Sequence, residues 1–447
     1  MGSFRVAVVG AGPAGIYAAA ALAGAGPRVS VDLFDRLPTP YGLVRYGTAP
    51  DHPRIKEVVV ALRQALAAPG IRFFGNVDYG ADLKLAELRE LYHAVIFATG
   101  ATGDRRLEVP GIDLPGSYGA ADFVSWYNGH PDAPRTWPLD AAELAVIGAG
   151  NVALDVARML AKPAAEQLIT EIPDNVERCL AANRARDVHL FARRGPAEAK
   201  FTPLELRELA ESPNVDVIVD PDGAELTAAD ELLIKKSRQR RTVTRILRDW
   251  VGRPATGAPR RLHLHFRAAP VAVLGGDRVI GLRTERTESD STGMIFGTGE
   301  FTDRPVQAVY RAIGYRSTPI AGLPFDQRGG VIPNLAGRVV DLGGEIIPGI
   351  HVTGWVKRGP VGLIGHTKSD AAETIAGVLA ELDQLPRSSV IETAEIGELL
   401  RSKHVDFTTL REWDRLDAHE LALGRAAERQ RIKIVDRADM IAAGRDS

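Results

Sequence analysis

Two glycine-rich turns, each closing an apolar run, carry the spacing that points most directly to chemistry. Gly10-Ala11-Gly12-Pro13-Ala14-Gly15 follows the run 6–9 and is itself followed by an acid, Asp35. Gly148-Ala149-Gly150-Asn151-Val152-Ala153 follows the run 144–147 and is followed by Arg193-Arg194-Gly195. In a strand–turn–helix the first glycine permits the tight turn and the second lets the backbone approach a pyrophosphate lodged on the helix N-terminus. The third allows close helix–strand packing. An acid beyond the turn accepts hydrogen bonds from a ribose hydroxyl, although Asp35 lies slightly past the usual spacing. Arginines suit a 2′-phosphate, which they grip bidentately without losing charge. The residues read as FAD on the first turn and NADP(H) on the second. Ala153, in place of the third glycine, predicts a slightly wider helix–strand spacing there.

The elements that must position these turns follow from periodicity. Residues 4–9 read as a buried strand, 13–22 as a helix and 29–34 as a second strand, the opening of a βαβ unit. After a Pro/Gly-rich loop at 38–53, residues 55–66 are helical in pattern, and 71–74 and 94–98 are strand-like. A turn-rich stretch, 104–118, predicts a domain crossing. The second βαβ unit starts near Leu144 and resumes at 188–191 after an insertion spanning 163–186. Strand-like pieces at 263–266, 271–274, 279–283 and 308–312 complete that region. From Tyr315 the chain returns to the first domain through 349–355 and a helix beginning near Lys368. The expected fold is α/β with two Rossmann-like dinucleotide-binding domains, an NADP domain (105–314) inserted into a discontinuous FAD domain (1–104 and 315–447).

The chain has 447 residues, enough for two or three cores, and its 45% hydrophobic and 25% charged content is that of an ordinary globular protein. A net charge of −2 gives no global argument for nucleic acid. The uncharged run 6–27 imitates a signal or membrane-spanning segment, but Gly10, Gly12, Pro13 and Gly15 interrupt it where such a helix is most apolar. A cytoplasmic location with no membrane association is expected. Cys179 is the only cysteine, which excludes an intramolecular redox disulfide, an all-cysteine metal site and a resident iron–sulfur cluster; no metal site is read.

The chain resembles, over almost its whole length, the adrenodoxin reductase family and its bacterial ferredoxin–NADP(+) reductase relatives. The resemblance rests on the first turn and on Tyr41-Gly42-Leu43-Val44-Arg45, Ala49-Pro50-Asp51-His52-Pro53, Gly75-Asn76-Val77 and Trp126-Tyr127-Asn128. It continues in Gly150 to Arg158, Arg193-Arg194-Gly195-Pro196, Glu205-Leu206-Arg207-Glu208 and Gly354-Trp355-Val356-Lys357-Arg358-Gly359-Pro360. It implies FAD contacts at Ala14, Asp35, Leu43, Val77, Trp355, Gly362, Leu363 and Ile364. It implies NADP(H) contacts at Asn151, Val152, Arg193, Arg194, Glu205 and Gly362. Asp35 stands where many members carry glutamate, which shortens the reach to the ribose. A helix N-terminus after Gly362 also makes physical sense, since reduction places negative charge on the flavin edge it would face.

The resemblance also places His52 and Asp155 near the flavin. A histidine there can relay protons near neutral pH; alternatively His52 orders its Pro-rich loop and Asp155 answers the dipole of its helix. Lys235-Lys236-Ser237-Arg238-Gln239-Arg240-Arg241, with Arg245 and Arg248, is the densest basic run. By resemblance, Arg238, Arg240 and Arg241 bind the partner, an acidic ferredoxin whose cluster type is left open. A basic patch would steer such a partner, whereas nucleic-acid binding would want interleaved aromatics and a solvated helix face is the plain alternative. A monomer is expected.

The residues fit a flavin that takes a hydride from NADPH and hands single electrons to an external iron–sulfur protein. Two alternatives remain: an FAD/NADPH monooxygenase or oxidase acting on a small molecule, and a non-catalytic flavoprotein that senses NADP(H).

Overall fold

A computed structural model describes residues 4–26, 29–52, 57–290, 292–362, 364–382 and 395–445. The chain divides into two compact units. One is Met1–Gly103 with Asn128–Asp132 and Tyr315–Ser447; the other is Asp104–Tyr127 with Ala133–Gly314.

The first unit is built on a seven-stranded sheet. Five strands run parallel in the order Ile346–Val352, Ala94–Phe97, Phe4–Val9, Val29–Phe34 and Ile71–Phe74. Short antiparallel strands, Arg338–Val340 and Asn334–Leu335, finish one edge. The central strand is buried almost throughout, as a parallel strand covered on both faces must be. One face is covered by helices Pro13–Ala23 and Ile364–Glu381, whose Ile16, Ala19, Ala371, Ile375 and Val378 share a core with Val6 and Val8. The helix expected near Lys368 therefore starts four residues earlier. The C-terminal stretch forms helices Glu395–Ser402, Leu410–Ala426 and Arg437–Arg445.

The second unit has a six-stranded sheet, parallel throughout: Ser117–Gly119, Ala308–Arg311, Glu143–Ile147, Asp187–Phe191, Arg260–His265 and Val215–Val219. The edge strand Val215–Val219 was not anticipated from its five residues. The pieces expected at 271–274 and 279–283 do not complete this sheet. They lie in Ala268–Gly275 and Val279–Ser289, which pair with Ile295–Pro305 as a separate antiparallel sheet. Trp126 stacks on Phe123 at 5.5 Å beside Trp137, an aromatic core rather than a surface motif.

Among the described residues, no helix is long and apolar enough to cross a membrane.

Candidate functional site

The first glycine turn joins strand Phe4–Val9 to helix Pro13–Ala23, with Gly12 as N-cap and Pro13 at the first helical position. Gly10 has φ +108°, and a Cβ there would meet the Ala98 carbonyl oxygen at 2.6 Å. A Cβ on Gly15 would fall 1.8 Å from the Gly10 carbonyl oxygen. Gly12 is different. Its φ of −75° suits any residue, and an added Cβ finds nothing within 4 Å. Neither conformation nor protein packing requires glycine there, and the space it leaves over the helix N-terminus is open to a ligand.

The neighbouring loops converge on that space. The Asp35 carboxylate accepts N–H bonds from Ala11 at 2.7 Å and from Leu37 at 2.9 Å, and the Asp35 carbonyl accepts from Val77 N–H at 2.8 Å. Burial pushes the Asp35 carboxyl above the ordinary carboxylate range, against the pull of those N–H groups and of Arg36 and Arg437. Tyr41, at φ +82°, donates its N–H to the Ala11 carbonyl at 2.8 Å, and a Cβ on Gly42 would sit 3.1 Å from the Gly12 Cα. Leu43 then opens the short helix Leu43–Tyr46. From the far end of the chain, a Cβ on Gly354 would lie 2.6 Å from that of Ala14. Gly354 N–H donates to Asp370 at 2.6 Å, which sets the start of the turn bearing half-buried Trp355. These contacts tie the loops bearing Asp35, Leu43, Val77 and Trp355 to the turn and helix of Gly10, Gly12, Ala14 and Gly15. Gly362 is exposed with φ +90° just before helix Ile364–Glu381. Leu363 and the side chain of Ile364 lie outside the described residues. His52 is buried, its N–H donating to Ala49 at 3.1 Å.

The second turn repeats the logic. A Cβ on Gly148, at φ +153°, would meet the Ala312 carbonyl oxygen at 2.3 Å, whereas Gly150 has φ −119° and open space around its missing Cβ. The Ala153 methyl is accommodated, 3.1 Å from where a Gly148 Cβ would be, so this turn is looser than the first. Asn151 opens helix Asn151–Ala161, followed by Val152, both half-buried. The Asn151 side-chain oxygen accepts the Thr202 N–H at 2.9 Å, and Thr202 caps helix Pro203–Glu208, which contains buried Glu205. Lys200 N–H reaches the Ala149 carbonyl at 2.8 Å. Arg193 and Arg194 follow strand Asp187–Phe191; Arg193 is exposed, and Arg194 is paired with Glu198. The arrangement offers backbone N–H groups for a pyrophosphate and guanidinium groups for a further phosphate.

Asp155 is buried with its carboxylate 3.0 Å from Arg158, which approaches Glu208 at 3.6 Å. In helix Arg238–Trp250 the inward residues are Val243, Ile246, Leu247 and Trp250, while Arg238, Arg241, Arg245 and Arg248 are exposed on the opposite side. Arg240 is half-buried, its N–H donating to the capping Ser237.

Sequence reasoning missed the contribution of residues 395–445 to the loops beside the first glycine turn. Glu420 grips Arg45 of the Leu43–Tyr46 turn through bonds of 3.0 and 2.5 Å, both side chains buried. Gly75 and Thr408 exchange two backbone bonds of 2.8 Å, and Arg437 ties the Arg36 carbonyl to Asn76. Partners more than 300 residues apart leave no local signal.

The pyridine nucleotide-disulphide oxidoreductase family model matches residues 4–195, which span both glycine turns. The NADPH:adrenodoxin oxidoreductase of Arabidopsis thaliana mitochondria is 39% identical, over 98% of this chain and 95% of that one. The NADPH-ferredoxin reductase FprA of Mycobacterium tuberculosis is 38% identical over 99% of this chain and 100% of that one. The solved structure of FprA in complex with NADPH superposes with a TM-score of 0.91, at 37% identity over 99% of each chain. Likeness of this extent, on a framework whose two open glycine positions fit FAD and NADP(H), means that the chain belongs to the family of NADPH:adrenodoxin oxidoreductases and NADPH–ferredoxin reductases.

Proposed function

We infer that this enzyme oxidises NADPH and passes the electrons one at a time to a small acidic ferredoxin. The observation that carries the reading is the pair Gly12 and Gly150, glycines whose side-chain space is empty of protein in two otherwise tightly packed turns. Bound FAD supplies the conversion from a two-electron donor to one-electron delivery.

The chain's own residues bind and orient. Residues 1–104 and 315–447 serve as the FAD domain and 105–314 as the NADP domain. Ala14, Asp35, Leu43, Val77, Trp355 and the segment 362–364 hold FAD, with Asp35 turned toward the ribose. Asn151, Val152, Glu205 and Gly362 hold the nucleotide, while Arg193 and Arg194 select its 2′-phosphate. The ion pair with Arg158 supports a shaping rather than proton-relaying role for Asp155. His52, close beside the Leu43–Tyr46 turn in sequence, remains the candidate to manage protons. The exposed arginines of Arg238–Trp250 receive the ferredoxin, and the working form is a cytoplasmic monomer without nucleic-acid or membrane partners.

The test is anaerobic mixing of the FAD-loaded protein with NADPH and, separately, NADH, followed by addition of a ferredoxin and cytochrome c. Fast NADPH-selective flavin bleaching with ferredoxin-dependent cytochrome reduction is expected. Bleaching without transfer to any ferredoxin transfers the reading to a small-molecule monooxygenase or oxidase, and no bleaching defeats both.

A further inference from the structure

We propose that the second unit binds one divalent transition metal of the zinc class, on one face of its parallel sheet, through His189, His263, Asp187 and Glu143. Strand Asp187–Phe191 pairs on one side with Glu143–Ile147 and on the other with Arg260–His265, with Glu143 opposite Asp187 and His189 opposite His263. Alternate residues of a strand share a face, so this register gathers the four side chains. One ligand atom each from Asp187, His189 and His263 lie within 4.8 Å of one another. The rings of His189 and His263 are stacked, with centroids 4.4 Å apart.

The hydrogen-bond chain behind His189 fixes where its lone pair points. His265 Nδ1 is 2.8 Å from an Asp220 carboxylate oxygen, which only accepts, so in the neutral ring Nδ1 carries the hydrogen. His265 Nε2 is then an acceptor, and it takes the Nδ1–H of His189 at 3.1 Å. That leaves His189 Nε2 with a bare lone pair. The nitrogen is buried without a hydrogen-bond partner, and a Glu143 carboxylate oxygen stands 3.7 Å away. A buried imidazole lone pair facing a partly exposed carboxylate sets two acceptors against each other, an arrangement a cation bridges. A carboxylate and a second imidazole locking the ring from behind is the support that metal-binding histidines use.

His263 Nε2 lies 2.7 Å from Asp187, whose oxygens also receive the Arg261 fork at 2.6 and 2.5 Å. Arg261 is half exposed and can release one oxygen to solvent without stranding a buried charge. The carboxylates of Asp187, Asp220 and Glu143 outnumber the guanidiniums of Arg261 and Arg304 that act on the cluster. Two imidazoles and two carboxylates suit zinc-like ions rather than calcium or magnesium. Tetrahedral zinc needs ligand atoms about 3.3 Å apart, a closure available to the partly exposed side chains of His263 and Glu143.

The experiment titrates FAD-loaded, chelator-treated protein with Co²⁺, reading the d–d absorption to the red of the flavin bands, and with Zn²⁺ by calorimetry. One ion per chain is expected. His263→Gln should weaken binding at least about 100-fold and His265→Phe about 10- to 100-fold, the usual loss on removing an outer support. His263 is partly exposed, so its variant should keep full FAD content and thereby report on binding rather than folding. Absence of stoichiometric binding to the wild type overturns the proposal. Equal binding by wild type and His263→Gln overturns it as well.

Discussion

The Asp35 carboxylate and the Ala11 backbone N–H are joined by a 2.7 Å hydrogen bond, so the acid beyond the first glycine turn is anchored to that turn before any ribose arrives. Its second oxygen takes the Leu37 N–H at 2.9 Å. Each oxygen keeps a lone pair, the capacity that the proposed contact with a sugar hydroxyl draws on. Asp35→Asn sets an NH₂ group against one of the two backbone donors. Losing a charge-assisted bond costs about 1.5–3 kcal/mol, or about 10- to 100-fold in FAD dissociation constant. Reconstitution of apoprotein followed by flavin fluorescence checks this, and Asp35→Glu should stay within a few-fold of wild type.

Gly150→Ala separates a ligand cradle from a folding requirement. The extra methyl meets no protein atom within 4 Å at an ordinary φ. The entropic gain of replacing glycine and the weaker N-cap offset each other, leaving stability within about 1 kcal/mol of wild type. NADPH affinity should fall at least about 10-fold, because the methyl occupies the path of the pyrophosphate. A thermal midpoint lowered by many degrees would show instead that the turn needs its glycine for packing.

The two arginines differ in readiness. Arg193 is exposed, while Arg194 is already engaged by Glu198. Arg193→Ala should lower kcat/KM for NADPH by about 10- to 100-fold, one charged hydrogen-bonding group's worth, and leave NADH unchanged. Glu198→Gln frees Arg194 from a half-buried pair worth about 1 kcal/mol, so NADPH should bind about 5-fold tighter. Steady-state kinetics with both nucleotides distinguishes these outcomes.

Arg238, Arg241, Arg245 and Arg248 recur at spacings of three and four on the exposed side of their helix, the side proposed to receive an acidic ferredoxin. Arg241→Glu with Arg245→Glu should slow ferredoxin-dependent cytochrome reduction by about 10-fold at low salt, an effect that shrinks as salt screens it. Direct reduction of ferricyanide by NADPH should be unaffected. Half-buried Arg240, grouped with Arg238 and Arg241 by resemblance, should matter less when substituted.

What was legible in the sequence is what short range dictates. A glycine turn between an apolar run and a helix writes its requirements within six residues, so Gly10 to Gly15 and Gly148 to Ala153 could be read directly. The basic run at 235–241 declared itself by its density of charge, while the helix Arg238–Trp250 that orders its arginines did not. Illegible were contacts made by distant segments. Gly354 against Ala14, and Thr408 against Gly75, depend on chain returning after more than 300 residues. The histidine face arises from the register of strands that periodicity does not pair. Strand Val215–Val219 was hidden because it is short and carries Asp216, whose carboxylate collects the N–H groups of Thr256, Gly257 and Ala258.

Glu420 gives the C-terminal helices a role that stability and flavin retention can both measure. It holds Arg45 and, at 2.8 Å, Arg431, and accepts the Ile434 N–H at 3.0 Å; Lys433 meanwhile donates to the Arg45 carbonyl at 2.8 Å. Burial alone would raise its carboxyl, but Arg45 and Arg431 outweigh that and hold it below the ordinary 4.5. A depressed carboxyl contributes stability that is complete above its unfolded pKa and lost as pH falls through the folded one. Glu420→Ala leaves Arg45 buried without this partner, a cost of about 3–5 kcal/mol at pH 7. The difference in thermal midpoint between wild type and variant should therefore be large at pH 7 and narrow progressively below about pH 4.5. Because Arg45 closes the turn that begins at Leu43, FAD should also leave the variant about 10-fold faster, the consequence of a loop no longer preorganised. Flavin release unchanged beside a lowered midpoint would confine Glu420 to stability alone.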